Sequence, residues 1–296
     1  MKKFAPETTI IAHGDGDGTI AAAVCRKAGA EGKLITTQPF LLHKLPDLAG
    51  QTVIVDIAVD NKNPQATLDW TRRNAEYIVM WIDHHAGGEA LAEILGDRFI
   101  YDPTAPSCPT LMAEYGFDVP AEWAAAANAC DRPTEYAAIA LSTRYNSAFK
   151  VALVALQNGD RQAVEAVQSA FIEELITGVE SLLVTKRAAI YPALEVATNT
   201  AFDRLTELVP GVVYTDVPEG QGGVDLTSLL VRGYKKAPVV VVSTTSAQNN
   251  EPIVVVATDR KDLNLVQTFG LGSGAPFRVI LTGDKADLDY VRSVLK

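Results

Sequence analysis

Histidine and aspartate side chains gather in four short segments of the sequence. His13–Gly18 reads His-Gly-Asp-Gly-Asp-Gly, and Asp83–His85 reads Asp-His-His. Single aspartates, Asp56 and Asp131, mark the other two segments, and three of the four histidines of the chain lie in the set. Carboxylates beside imidazoles, with no thiolate among them, suit Mn²⁺ or Fe²⁺ and also Zn²⁺ or Co²⁺.

The number of acidic residues indicates two cations rather than one. Carboxylates packed together raise one another's pKa, so they either titrate together or are neutralised by divalent cations. Two cations about 3.5–4 Å apart use this many ligands and share a bridging carboxylate and a bridging water. The sequence therefore predicts a two-metal site, provided that the fold brings the four segments together.

Predicted strands supply the means of bringing them together. Short apolar runs alternate with helical stretches in the first half of the chain, which is typical of a parallel α/β sheet. Three of the four segments follow or end a predicted strand, and the carboxyl ends of parallel strands lie along one edge of a sheet. The predicted strands are Thr8–Ala12, Lys33–Thr37, Thr52–Asp56, Tyr77–Asp83 and Phe99–Tyr101.

Simpler interpretations of the single segments are weaker than the metal site. A lone aspartate after a strand is often the N-cap of a helix. A Gly-Asp-Gly-Asp-Gly segment could be a turn or a calcium loop. An EF-hand loop that began at Asp15 would need a glutamate at its twelfth position, where this chain has Arg26. The four segments together favour a metal site.

The second half of the chain predicts a helical stretch and then a second α/β unit. Residues 160–189 contain no proline and one glycine, which indicates a long helical connection. We expect a parallel-sheet catalytic domain at residues 1–188 and a smaller α/β substrate-binding domain at 198–296. A helical linker would join them, with the active site in the cleft between them, where ligands are often bound. The predicted late strands are Val212–Thr215, Val239–Thr244, Ile253–Ala257 and Phe277–Leu281.

Composition limits the partners. No apolar run reaches the roughly 18 residues of a membrane helix, and no apolar stretch follows the first lysines, so we expect no membrane partner and a cytoplasmic location. The net charge is −10, which disfavours long duplex DNA. Cys25, Cys108 and Cys130 are widely spaced and favour buried thiols over a disulfide or a zinc site.

The four segments resemble the motifs of the DHH phosphoesterase superfamily, which is named for the triplet at Asp83–His85. The first motif of that superfamily, His-x-Asp-x-Asp-Gly, is present in full at His13–Gly18. Asp56 matches the aspartate that ends an apolar strand, and Asp131 matches the aspartate of the helical fourth motif. The motifs occur in the expected order.

The resemblance implies a role for each site residue. One metal would be held by His13, Asp15 and Asp56, and the other by Asp17, Asp56, His84 and Asp131. Asp56 would bridge the two ions, for which manganese is the usual metal. His85 would face the substrate phosphate, and Asp83 would orient a histidine from behind. The implied reaction is attack of a metal-activated water on a phosphate ester or phosphodiester.

Within the superfamily, the nano-RNase and RecJ-like branch is favoured. Manganese pyrophosphatases have the wider first motif His-x-x-x-Asp-x-Asp, and RecJ-type exonucleases carry additional nucleic-acid-binding parts. The favoured branch implies that the substrate is a small nucleotide or a short oligonucleotide, including linear or cyclic dinucleotides. Its C-terminal DHH-associated domain normally has a Gly-Gly-Gly-His loop, and the matching residues 269–278 lack the histidine.

This divergent loop supplies the predicted substrate contacts, which are Gly272, Ser273, Gly274 and Arg278. Successive glycine amides can form a nest for a phosphate. The alternative is a plain turn before the last strand, with Arg278 as a solvated charge.

Two classes of function remain open from the sequence. The first is a manganese-dependent phosphoesterase, for which pyrophosphatase-like and cyclic-dinucleotide variants are alternatives. The second is a non-catalytic regulatory module that binds metal and nucleotide. The sequence is compatible with a homodimer and does not fix the oligomeric state.

Overall fold

The chain folds into two compact units. The computed structural model describes residues 2–60, 62–132, 161–188, 191–217, 224–245, 251–271 and 277–296. Among the described residues, the first unit contains 2–60, 62–132 and Arg161–Arg187, and the second unit begins at Ala188.

A parallel sheet forms the centre of the first unit. Its described strands are β1 (Thr9–His13), β2 (Leu34–Thr37), β3 (Thr52–Val55), β4 (Ile78–Asp83) and β5 (Phe99–Tyr101). Their order is β2-β1-β3-β4-β5, and every neighbouring pair runs parallel. The predicted strands agree with these bounds within one residue at each end. The predicted α/β fold with a parallel sheet is therefore confirmed.

Helices cover both faces of this sheet. They are α1 (Gly16–Lys27), α2 (Pro39–Leu42), α3 (Pro64–Asn74), α4 (Glu89–Leu95), α5 (Cys108–Glu114), α6 (Ala121–Asp131), α7 (Arg161–Thr177) and α8 (Leu182–Ala188). Ile10 and Ala12 of β1 pack on the face covered by α1, whereas Ile11 packs on the other face with Trp70 of α3. Burying such a large apolar side chain contributes about 1.5–3 kcal/mol, so alternation along each strand stabilises both layers.

The strand order of the parallel sheet reverses beside β1. Strands β2 and β3 follow one another in the chain but lie on opposite sides of β1. In open α/β sheets, ligands bind outside the carboxyl ends of the strands where the order reverses in this way. His13 is the last residue of β1, and Asp56 directly follows β3. Two of the predicted metal ligands thus lie where the strand order reverses.

The predicted long helical connection is wrong in one respect. Helix α7 ends at Thr177, and α8 begins only at Leu182. Gly178 lies between them with φ 70°, a left-handed conformation that glycine adopts readily and that ends a helix. The sequence also predicts a helix at residues 147–157, which lie outside the described residues.

The second unit is built on a mixed sheet. Its described strands are β6 (Thr206–Val209), β7 (Val212–Asp216), β8 (Val239–Thr245), β9 (Pro252–Thr258) and β10 (Arg278–Thr282). Their order is β10-β9-β8-β7-β6; β7 and β8 run parallel, and the other neighbours run antiparallel. The helices are α9 (Tyr191–Asp203), α10 (Leu226–Gly233), α11 (Leu265–Thr268) and α12 (Leu288–Val294). In the described part of both units, no helix has the length and apolarity needed to cross a membrane.

Candidate metal centre

The carboxyl edge of the parallel sheet brings the predicted ligands together. Three groups of side chains have ligand atoms close enough to hold a cation. The first is His13, Asp15 and Asp56; the second is Asp17, His84 and Asp131; the third is Asp56, His84 and His85. Because the groups share members, they form one cluster.

His13 and Asp15 form one side of the cluster. His13 Nδ1 lies 2.7 Å from Asp15 Oδ2 and 3.6 Å from Asp56 Oδ2. The other oxygen of Asp15, Oδ1, accepts a hydrogen bond from the Gly18 amide at 3.3 Å and so caps the start of α1. One carboxylate therefore starts the helix and also faces the imidazole.

His84 forms the other side. Its Nε2 lies 3.3 Å from Asp17 Oδ2, 3.4 Å from Asp56 Oδ1 and 3.8 Å from Asp131 Oδ2. Asp17 Oδ2 also accepts a hydrogen bond from the Cys108 amide at the start of α5, at 3.2 Å. Asp131 is the last residue of α6, so three helices contribute to this side or support it.

Asp56 lies between the two sides and has an unusual backbone. Its Oδ2 faces His13, and its Oδ1 faces His84. Its φ of 59° makes it the one non-glycine residue with a positive φ in the described part of the chain. Strain of this kind persists where the surrounding structure imposes it, and it is common at functional sites. The backbone turns here so that one carboxylate faces both histidines.

Unpartnered buried atoms show that the cluster fits cations. Both carboxylate oxygens of Asp56 and Nε2 of His84 are buried and make no hydrogen bond. Leaving a buried polar atom unpaired costs about 1–3 kcal/mol, and more when the group is charged. Divalent cations would satisfy these atoms, and the mixed nitrogen and carboxylate donors suit manganese.

One ring nitrogen of each histidine in the cluster contacts a protein oxygen that fixes the orientation of the ring. His13 Nε2 donates to Gln38 Oε1 at 2.8 Å, and His84 Nδ1 donates to the Ala105 carbonyl at 3.1 Å. His85 Nδ1 lies 2.7 Å from Asp83 Oδ1, and Asp83 is fully buried. Such contacts orient metal-binding imidazoles. The motifs did not reveal Gln38, because only the folded chain brings β2 beside β1.

Charge crowding shifts the pKa values of the cluster. Burial, and then the charges of Asp17 and Asp15, raise the pKa of Asp56 to about 7. Burial and the charge of Asp17 likewise raise the pKa of Asp131 to about 7. Burial alone would lower the pKa of His84, but its close contacts with the negatively charged Asp17 and Asp56 outweigh burial and raise the pKa to about 12. Without cations, the cluster therefore retains protons that cations would replace.

Glycine at position 18 lets the cluster close. A Cβ at Gly18 would lie 2.7 Å from the His13 carbonyl oxygen and 2.9 Å from Asp56 Oδ2. Contacts shorter than 3.0 Å force a displacement, because neither the strand end nor the buried carboxylate can move freely. The last glycine of the first motif is thus required by close approach.

The predicted substrate contacts lie in the second unit. Arg278 is the first residue of β10 and is exposed. Gly272, Ser273 and Gly274 lie outside the described residues. Contact of these four residues with substrate stays a prediction.

Solved structures provide the comparisons. No protein-family model matches the sequence, and no curated protein matches it significantly. A pGpG-specific phosphodiesterase, PggH from Vibrio cholerae, is 16% identical over 97% of each chain, with a TM-score of 0.63. The exonuclease RecJ bound to manganese is 13% identical over 97% of this chain and 88% of RecJ, with a TM-score of 0.50. RecJ from Thermus thermophilus in complex with Mn²⁺ is 14% identical over 97% of this chain and 51% of RecJ, with a TM-score of 0.53.

At these identities the likeness lies in the fold. It extends over both units, because the matches cover 97% of the chain. The chain therefore has the fold of these phosphodiesterase and exonuclease structures.

Proposed function

We propose that the protein is a metal-dependent phosphoesterase that acts on small nucleotides or short oligonucleotides. The observation that carries the proposal is the buried carboxylate of Asp56. Its two oxygens lie 3.6 Å from His13 Nδ1 and 3.4 Å from His84 Nε2, and neither oxygen has a hydrogen bond. A carboxylate placed in this way suits a bridge between two cations.

The proposed ligands follow the two sides of the cluster. His13, Asp15 and Asp56 would hold one cation; Asp17, Asp56, His84 and Asp131 would hold the other. When bound, such a pair of cations lowers the pKa of water and offsets negative charge on a phosphate. Manganese is the proposed metal, because the donor set suits it and because two similar structures are of RecJ with manganese.

The proposed role of His85 is to donate a hydrogen bond to the substrate phosphate. Its Nδ1 is taken by Asp83 at 2.7 Å, which fixes the ring. The side chain is 37% exposed, in contrast to 4% for His84, so Nε2 is free to meet a ligand. Asp83 acts only through His85, which makes it a positioning residue.

A linear dinucleotide is the first substrate to test. The similar structure from Vibrio cholerae is that of a pGpG-specific phosphodiesterase, and the likeness covers both units. We propose that the second unit holds the substrate through Gly272, Ser273, Gly274 and Arg278. The net charge of −10 argues against long polyanions as substrates.

The decisive experiment compares two buried aspartates that lie close in the chain. Asp56→Asn keeps a residue that tolerates positive φ, whereas alanine would add backbone strain. Asp60→Asn is the matched control: Asp60 is 6% exposed, accepts from the Lys62 amide at 2.9 Å, and lies outside the cluster. Both variants and the wild type are assayed with Mn²⁺ on pGpG, a cyclic dinucleotide, 3′-phosphoadenosine 5′-phosphate and pyrophosphate.

Each outcome supports or opposes the proposal. The proposal is supported if a nucleotide is turned over only with Mn²⁺, and if this activity is lost in Asp56→Asn and kept in Asp60→Asn. The nucleotide that is turned over then identifies the substrate class. Turnover of pyrophosphate alone would replace it with a pyrophosphatase. Metal binding without turnover of any member would favour the non-catalytic module.

A further inference from the structure

A buried glutamine outside the motifs contacts the first motif of the cluster. Gln168 lies on α7 in the first unit and is 1% exposed. Burying an uncharged amide is costly unless its polar atoms are satisfied. A buried glutamine at this position therefore requires hydrogen-bond partners for its amide.

Gln168 bonds three different elements. Its Nε2 donates to the His13 carbonyl and to Thr19 Oγ1, each at 2.9 Å. Its Oε1 accepts a hydrogen bond from Thr36 Oγ1 of β2. An amide group has two N–H donors and one carbonyl acceptor. Both donors and the acceptor are thus used, at the end of β1, the first turns of α1 and β2.

These bonds support both ends of the short segment that carries the first two ligands. His13 is held directly, through its carbonyl oxygen. Asp15 is held indirectly, because the Thr19 hydroxyl that accepts from Gln168 donates to the Asp15 carbonyl at 2.5 Å. The His13 carbonyl is also the atom that a Cβ at Gly18 would approach to 2.7 Å. A shift of this carbonyl would therefore change the packing of the motif.

We propose that Gln168 is a positioning residue that fixes the backbone of His13 and Asp15. It thereby sets the geometry of the first cation site. The metal part of this inference rests on the proposed function, whereas the ordering of the segment does not. Outer contacts of this kind typically change metal affinity about 10- to 100-fold when they are removed.

The test uses Gln168→Met, which keeps the length of the side chain and removes its hydrogen bonds. Thr36→Val is the milder second variant, because it removes one bond with little change in volume. Asn74→Leu is the control for losing a buried amide: Asn74 is fully buried in the same unit and bonds the Leu48 amide and the Trp70 carbonyl instead. The readouts are amide hydrogen exchange of residues 13–19 in the metal-free protein and Mn²⁺ affinity by titration calorimetry.

We expect Gln168→Met to speed exchange in residues 13–19 by about tenfold or more. It should weaken one Mn²⁺ site by about 10- to 100-fold. Thr36→Val should change both readouts in the same direction by less, and Asn74→Leu should change neither.

Other results would overturn the inference. Wild-type exchange and affinity in Gln168→Met would show that the amide only fills space. Equal changes in Asn74→Leu would show a general loss of stability. If the wild type binds no Mn²⁺, the proposed function fails, and the exchange comparison still decides the role of Gln168. If Gln168→Met does not fold, wild-type behaviour of Thr36→Val overturns the inference.

Discussion

The histidines of the cluster divide their two ring nitrogens between support and chemistry. His13 and His84 each direct one nitrogen at the carboxylates and the other at a protein oxygen. His85 uses Nδ1 for Asp83, and the same atom lies 3.8 Å from Asp56 Oδ1. His85 thus lies near the proposed metal ligands, but its ring is oriented by Asp83, a buried carboxylate that is not one of them.

This geometry predicts different results for His85 and for a ligand. His85→Ala should keep both proposed Mn²⁺ ions and lose about 10²- to 10³-fold in kcat, since a preorganised hydrogen-bond donor to the reacting group contributes about that much. Asp83→Asn should show the same pattern, and the double variant should be no slower than the slower single one. The measurements are kcat and metal stoichiometry.

His43→Ala is the control, because His43 lies in the same unit and belongs to none of the three ligand groups. It should keep metal and rate. Loss of a Mn²⁺ ion in His85→Ala would instead make His85 a ligand with Asp56 and His84.

The motifs predict the atoms of the cluster better than what holds them. The proposed ligands occur in short, recognisable segments, most of which follow or end a strand. Gln38 and Gln168 carry no such signal, because their partners lie 25 and 155 residues away in the chain. Side-chain hydrogen bonds over such separations depend on the finished fold.

At the level of elements, the buried parallel strands are predictable from the sequence, whereas the exposed edge strand β6 is not. Strands β1 and β3 are solid apolar runs because both of their faces are covered. Strand β6 was missed, since it is an edge strand whose first two residues are exposed. Helix α4 has seven residues, and so short a helix gives little periodicity by which the sequence could reveal it.

Helix α1 provides a prediction at this scale. Gly18→Ala replaces glycine with the best helix former and on propensity alone would stabilise α1 by about 1 kcal/mol. The added Cβ would, however, press on His13 and Asp56. We therefore expect Mn²⁺ affinity to fall by about tenfold or more, as it does when a residue that supports metal ligands is lost. Titration calorimetry with Mn²⁺ measures the change.

Gly50→Ala is the matched control, because a Cβ there meets nothing within 4 Å. It should leave Mn²⁺ affinity unchanged. Equal Mn²⁺ affinities of Gly18→Ala and the wild type would contradict the prediction, because they would mean that the residues around position 18 can accommodate a Cβ.

For the whole molecule, the cluster predicts a conflict between stability and function. The pKa of Asp56 in the folded protein is about 7, above its ordinary value of 3.8. Ionisation of this carboxylate therefore destabilises the folded state increasingly between about pH 4 and 7, and the destabilisation is complete above pH 7. At about pH 8 with EDTA, Asp56→Asn should therefore unfold at a higher temperature than the wild type. A gain of about 1 kcal/mol corresponds to about 2–4 °C for a protein of this size.

Added Mn²⁺ should reverse the order. A ligand that binds only the folded state stabilises it by about 2.7 kcal/mol at a hundredfold excess over Kd. The wild type and Asp60→Asn should gain this shift, and Asp56→Asn should not. Calorimetric unfolding scans with EDTA and with Mn²⁺ measure both effects. A lower unfolding temperature of Asp56→Asn in EDTA would contradict the first expectation.

The left-handed backbone of Asp56 has a consequence for how this protein can diverge. Asparagine and glycine tolerate that conformation best, and each is one nucleotide change away from an aspartate codon. Either change leaves the turn intact and removes the carboxylate proposed to bridge the two cations. Drift at this position would therefore yield folded proteins without the proposed chemistry. Among proteins descended from this one, an aspartate at position 56 would be expected in those that retain the proposed activity, and asparagine or glycine in those that have lost it.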